Sequence, residues 1–312
     1  MFMALHPTRR IFVRWLSPFT GTLICLAFCL RLGAAEAQPA SHQSLQIQVS
    51  SLDQGIELPG YWSPVKTGQP APAVVALHGC GGLPAKKALL GYQQGRYVRM
   101  FNDAGISVLY IDSFAPRGTV SICSQKPGER SITEDVRRLD VYGALRWLAA
   151  QPGVDATRLG VVGWSHGGQT ALAVNDASVD LAPGVTARPR AVAAFYPGCR
   201  RFERQRSYQP AVPMLVMTGL LDDWTPSATC AALAARLHTR WPPPAPTIQH
   251  IAYANSYHGF DSANPPRQRD RVGGTASGKA TVGGNPDALA ASGQALMVFM
   301  QAQFQLPHSP HP

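Results

Sequence analysis

The sequence predicts an α/β fold: a mostly parallel sheet covered on both faces, with an antiparallel N-terminal edge. Three observations predict it. Short apolar runs recur near 73–78, 106–111, 158–163, 191–196, 212–217 and 247–253, as expected of strands buried on both sides. Helix-like stretches separate them, at about 86–103, 131–150, 166–175, 227–239 and 285–304. Polar residues able to do chemistry stand just past several of the runs, where open parallel sheets place their ligands.

The elements follow in order. Arg9, Arg10 and Arg14 precede an apolar run from about Phe19 to Leu30, and Ala35-Glu36-Ala37 offers a small-x-small cleavage site. Residues 1–37 therefore read as an export signal, too short for a comfortable membrane span. Its Thr8–Arg14 stretch also resembles a twin-arginine signal, so both export routes stay open. The expected mature chain, 38–312, is one domain with a single large core. It carries 24 basic and 17 acidic side chains, a net charge of +7, whereas the whole chain has +10. That charge is spread out apart from residues 200–206, read as a solvated loop, and nothing resembles a nucleic-acid-binding motif.

Residues 45–62 are expected to form the edge hairpin. Ser131-Ile132-Thr133-Glu134 resembles a capping box at the start of the second helix, which Pro152 and Gly153 close. Two longer connections break the pattern, 114–130 and 261–287; the first should overhang the site, and both are expected to shape specificity.

The most informative element is the strand ending in Gly163-Trp164-Ser165-His166-Gly167. A strand-to-helix turn this tight strains the central backbone and exposes its side chain above the sheet. Ser165 is thus a candidate nucleophile that needs a base, and the base needs an acid to orient it. Asp222 follows the run ending near Gly219, and His258 follows the run at 247–253, giving the chain order Ser, Asp, His. Asp223 is the alternative acid. Of the nine histidines, His6 leaves with the signal, His42, His308 and His311 lie near the chain ends, His238 falls on a surface helix, His250 lies inside a strand, His78 ends one and His166 directly follows the serine, which leaves His258 as the base. An oxyanion hole would use the backbone N–H groups of His166 and of Cys80, the latter in the glycine-rich turn after the 73–78 strand.

These residues carry a resemblance. The chain resembles the dienelactone hydrolase family of α/β-hydrolases, particularly its secreted, serine-containing branch. The matching segments are Leu-His-Gly-Cys-Gly-Gly (77–82), Asp-Ser-Phe-Ala-Pro-Arg-Gly (112–118), Gly-Trp-Ser-His-Gly-Gly (163–168), Tyr-Pro-Gly-Cys (196–199), Gly-Leu-Leu-Asp (219–222) and Tyr-His-Gly-Phe (257–260). The resemblance implies the α/β-hydrolase fold and Ser165, Asp222 and His258 as the triad. One departure matters: dienelactone hydrolases proper use a cysteine where this chain has Ser165. Their lactone specificity does not carry over, while hydrolysis of an ester remains the implied chemistry.

Four cysteines remain after the signal, and an even count in an exported protein suggests two disulfides. Topology favours Cys80–Cys123 and Cys199–Cys230 among three connectivities, with four buried free thiols as the alternative. No cysteine or histidine spacing suits a metal, and no cofactor is implied. Arg117 could pair with an acidic substrate group or tie down its own loop. Trp164 and Trp224 could wall an acyl pocket or serve as core. The sequence therefore points to an exported, periplasmic or secreted serine hydrolase of small-molecule esters or lactones. A peptidase related to prolyl oligopeptidases, and a non-catalytic binding protein on the same scaffold, are the other readings. Oligomeric state is not legible.

Overall fold

The computed structural model describes residues 44–307, apart from 54, 87, 88, 183, 186 and 187; the expected export signal and its cleavage site lie outside them. The chain opens with an antiparallel hairpin, β1 (Leu45–Ser50) and β2 (Glu57–Ser63), with Leu45 opposite Trp62. β3 (Ala71–Leu77) follows, buried throughout. A two-rung hairpin, β4 (Ala85–Lys86) with β5 (Leu89–Leu90), leads into α1 (Tyr92–Asp103) and β6 (Ser107–Ile111). Next come α2 (Glu134–Ala149), β7 (Val154–Trp164), α3 (His166–Val174) and β8 (Ala191–Phe195). The short α4 (Arg200–Arg204), β9 (Met214–Gly219), α5 (Ser227–Arg240) and β10 (Ile248–Tyr253) follow. A second hairpin, β11 (Arg267–Asp270) and β12 (Lys279–Val282), precedes α6 (Pro286–Phe304).

Eight strands make the main sheet, in the order β1-β2-β6-β3-β7-β8-β9-β10. Pairing is antiparallel at β1–β2 and β2–β6 and parallel from β6 to β10. The apolar runs work because successive strand side chains face opposite ways. Val75, Leu77, Val161, Val192 and Val216 turn to one face, beneath Val141, Ala144 and Leu148 of α2 and Leu233 of α5. Val74, Ala76, Val162, Ala193 and Leu215 turn to the other, against Phe101 of α1 and Met300 and Phe304 of α6. Each interior strand is thus buried twice, and an uninterrupted run of apolar residues is what that requires.

Three local expectations are corrected. The helix expected from residue 86 starts at Tyr92, because 85–90 fold back as the β4–β5 hairpin and Gly91 N–H donates to Pro84 O at 2.7 Å. The second helix is capped by Thr133, whose hydroxyl accepts from Val136 N–H at 3.3 Å, two residues past the expected Ser131. The 200–206 stretch contains α4, anchored by Phe202 in the core and by Arg201 on Glu134 and Asp135.

Candidate active site

Ser165 stands between the last residue of β7 and the first of α3, with φ 53° and ψ −114°. A non-glycine residue at positive φ is strained, and here its neighbours hold it there. Ser165 N–H donates to Phe195 O at 2.9 Å, and Ser165 O accepts from Gln169 N–H at 2.9 Å. Gly163 and Gly167 permit the turn: a Cβ on Gly163 would overlap the Gly167 carbonyl, and one on Gly167 the Leu77 carbonyl. The serine hydroxyl is left facing a cavity of about 470 Å³.

His258 and Asp222 reach it from the ends of β10 and β9. His258 Nε2 lies 2.9 Å from Ser165 Oγ, and His258 Nδ1 lies 2.9 Å from Asp222 Oδ2. Asp222 is 5% exposed and its other lone pairs are filled: Trp224 N–H and Thr225 N–H donate to Oδ1 at 2.9 and 2.8 Å, and the Thr225 hydroxyl donates to Oδ2 at 2.8 Å. Burial alone would raise its pKa. The His258 charge and hydrogen bond, with the Thr225 donors, outweigh burial and hold the carboxyl below its ordinary range. Asp223 points elsewhere, accepting from Thr281 N–H at 2.9 Å and so tying the acid loop to β12. The rings of Trp224 and Tyr196 both pack on His258, each 4.7 Å away by centroid.

Behind the histidine lies Asp261, 1% exposed. Its Oδ2 accepts from Tyr97 Oη at 2.6 Å, Gln93 Nε2 at 2.8 Å and Trp164 Nε1 at 2.9 Å, and its Oδ1 from Tyr196 Oη at 2.7 Å. One carboxylate thereby joins α1, the residue before Ser165, the end of β8 and the His258 loop.

The two candidate oxyanion donors sit on the opposite flank. Among the described residues, no acceptor faces the backbone N–H of either Cys80 or His166. His78 sets the first. Ser113 N–H can only donate, so His78 Nε2 accepts it (3.2 Å) and Nδ1–H donates to Gly79 O at 2.8 Å. A trans peptide carries its C=O and N–H on opposite sides, so this bond aims the Cys80 N–H away from the imidazole. Burial first, then the nearby Arg137, keeps His78 neutral by lowering its pKa well below the usual histidine value.

Arg137 links this flank together from α2. Its Nη2 donates to His78 O at 2.9 Å and its Nη1 to His166 Nδ1 at 3.0 Å. His166 must then carry its proton on Nε2, which has no hydrogen-bond partner among the described residues. Burial, followed by Arg137 and Arg130, also lowers the His166 pKa well below normal.

Both overhanging connections reach the cavity. Cys123 is bonded to Cys80, and Gly273 N–H donates to Cys123 O at 2.8 Å, which joins the two loops. Pro127 and Arg130 of the first, and Gly273 and Gly274 of the second, stand in the wall with Trp224 and Thr225. Trp224 Nε1 donates to Gly273 O at 3.1 Å. The second disulfide, Cys199–Cys230, ties the start of α4 to α5. Arg200, Arg201 and Arg204 of α4 complete the outer rim, with Glu134 as their acidic neighbour.

For Arg117 and Trp164, two possible substrate contacts, the structure shows the alternative reading. Arg117 is spent within the fold: Nη1 and Nη2 donate to Asp140 at 3.0 and 2.8 Å, Nη2 also meets Asp53 at 2.8 Å, and Nη1 donates to Ser113 O at 2.7 Å. It does not line the cavity. Trp164 is core, 7% exposed, stacked on Phe195 at 5.4 Å and bonded to Asp261.

Sequence reasoning missed Arg137, the His78 ring, Asp261 and the arginine rim. Arg137 left a signal, since it shares a helix face with Val141, Ala144 and Leu148 at helical spacing and so had to be buried. Asp261 left none, because its four donors come from distant segments.

A serine on a strained strand–helix turn, a histidine and an acid past successive parallel strands, and this sheet order define the α/β-hydrolase class. The dienelactone hydrolase family model matches residues 111–302, more than half of the chain. The chain belongs to that family and is a carboxylic ester hydrolase. No curated protein matches it by sequence. Among solved structures it is similar to Thermogutta terrifontis esterase 2 with propionate bound: 16% identity, TM-score 0.60, 87% of this chain and 98% of that one. The same esterase is known phosphorylated by paraoxon. A Klebsiella pneumoniae protein assigned as a dienelactone hydrolase is 16% identical, with TM-score 0.59 over 82% of this chain and 98% of that one. A puromycin-hydrolysing peptidase of Mycobacterium tuberculosis is 17% identical, with TM-score 0.59 over 88% of this chain and 41% of that one.

Proposed function

We propose that the protein is an exported serine esterase that cleaves carboxylic esters or lactones through an acyl-enzyme on Ser165. One observation carries the reading: the continuous relay from Ser165 Oγ to His258 Nε2 (2.9 Å) and from His258 Nδ1 to Asp222 (2.9 Å). His258 takes the serine proton as Oγ attacks the ester carbonyl carbon. Asp222 stabilises the imidazolium and keeps its tautomer. The carbonyl electrons move to oxygen, which the Cys80 and His166 N–H groups receive; each such donor is typically worth about 3–4 kcal/mol in the transition state. His258 then gives the proton to the departing alkoxide, and water releases the acid by the same route.

The wall supports esters bearing an acidic group. Arg130, Arg200, Arg201 and Arg204 face Glu134 alone among the acidic wall residues, and Arg130 makes no ion pair among the described residues. Export of a single-domain mature chain, 38–312, is supported by the signal-like N-terminus and by the two disulfides, which persist in oxidising compartments. Among the described residues no helix is long and apolar enough to cross a membrane.

The test is hydrolysis of a short-chain p-nitrophenyl ester by purified mature protein with Ser165→Ala alongside. The substitution is expected to remove at least about 10³-fold of kcat. Paraoxon should label Ser165 in the parent alone. A loss below about tenfold, or labelling that survives the substitution, would refute the relay.

A further inference from the structure

Arg137 is fully buried in α2, yet among the described residues no carboxylate lies within 4 Å of it. Asp140, Asp112 and Glu134 act on it only from further off, and its Nε has no hydrogen-bond partner among the described residues. A guanidinium in that position is poor for stability, since desolvation of a charge is repaid only by close pairing and full hydrogen bonding. What its two bonds do achieve is specific. One grips the carbonyl of His78, two residues before Cys80, and the other grips the ring of His166 itself. The first segment ends β3 and the second begins α3, so a planar fork spans two elements that meet beneath Ser165.

We infer that Arg137 is a positioning residue of the oxyanion hole, bracing His78 against His166 so that the Cys80 and His166 N–H groups keep a fixed spacing in front of Ser165. The inference rests on the proposed nucleophile. Phe114, whose ring lies 5.2 Å from the guanidinium, packs the fork from one side and also meets the His78 ring at 4.5 Å. Arg137 touches no cavity space, so substrate binding should be nearly indifferent to it.

The experiment compares Arg137→Met and Arg137→Lys with the parent mature protein, on an aryl ester and on the thionoester in which sulfur replaces the carbonyl oxygen. Sulfur is a weak hydrogen-bond acceptor, so a working oxyanion hole strongly prefers the ester, and that preference reports the hole rather than the fold. Misplacing catalytic groups by about 1 Å typically costs about 10²-fold, and removing one oxyanion donor about 10²–10³-fold. Arg137→Met should therefore lose about 10²-fold in kcat with KM within about threefold, and its ester-to-thionoester preference should fall about tenfold. Arg137→Lys keeps a cation but cannot fork to both acceptors, and should fall between the two on both scales. If the Met variant does not fold, the Lys variant alone carries the test. The inference is overturned by parental kcat in the folded variant, or by a lower kcat with an unchanged preference. Ser165→Ala run in parallel keeps the failures apart: an active serine variant discards the nucleophile and this inference with it, whereas an inactive one leaves the nucleophile standing whatever Arg137 does.

Discussion

Two charges are buried close to Ser165, and the protein houses them in opposite ways. Asp261 is surrounded by four neutral donors, two on α1 and one each at the ends of β7 and β8, each within 2.6–2.9 Å. The phenols of Tyr97 and Tyr196 stay protonated beside it: burial first, then the Asp261 charge, pushes both pKa values well above normal. Arg137 has two acceptors and an orphaned Nε, and desolvation lowers its pKa to about 10. The difference teaches that buried charge serves two ends here. A saturated carboxylate fastens the histidine side of the site, and an under-paired guanidinium organises the oxyanion side at some expense of stability.

Stability measurements can break that comparison. Asparagine at position 261 cannot accept from four donors and turns an amide N–H toward some of them. Asp261→Asn is expected to lose about 3–5 kcal/mol in urea titrations. Arg137→Met removes a poorly solvated charge while stranding the His78 carbonyl, effects of opposite sign, and should shift stability by no more than about 1–2 kcal/mol. Equal losses in the two variants would abolish the distinction.

Acid titration sharpens it, because His78 and His166 owe their depressed pKa values to burial and then to Arg137. Both rings are neutral in the folded protein, whereas the unfolded chain binds a proton at each below about pH 6.5. Their contribution is intact above that pH and is lost as pH falls toward the folded values. The expected slope is about 1.4 kcal/mol per pH unit for each ring. Asp222, whose folded pKa is lowered, adds a later loss as pH drops through and below about 3.8. Urea midpoints at pH 7, 6 and 5 measure the first phase; a flat profile would mean that the rings take up protons inside the fold.

The smallest effect concerns charge that is not fully buried. Arg130→Gln should raise KM about fivefold for an ester bearing a free carboxylate, and only at low salt, while leaving the uncharged analogue unchanged. The same change for both esters would show that Arg130 acts on cavity shape rather than on charge.

The sheet was legible because two-sided burial imposes a local pattern: the runs containing Val74, Val161, Val192 and Leu215 are apolar without a break. Ser165, Asp222 and His258 were legible because each follows such a run, and the distances agree with that reading. Connections were less so. Residues 85–90, Ala-Lys-Lys-Ala-Leu-Leu, are good helix formers that only Gly91 separates from α1, and β11 is a fully exposed polar strand of four residues paired with the equally short β12. Arg117 and Trp164 illustrate a different limit. Both types of side chain suit a pocket or an interior equally, and the deciding partners, Asp140, Asp53 and Asp261, lie 23 to 97 residues away along the chain.

The Cys80–Cys123 bond has a consequence for how such an enzyme changes over generations. The residue we propose as a main-chain donor to the reaction is covalently tied to the loop that supplies Pro127 and Arg130 to the wall. Substitutions further along that loop can redraw the wall while the tether keeps its root in place. Choice of substrate and competence for the reaction thus become separable traits, one free to drift over a handful of exposed positions and the other held by a single sulfur bridge.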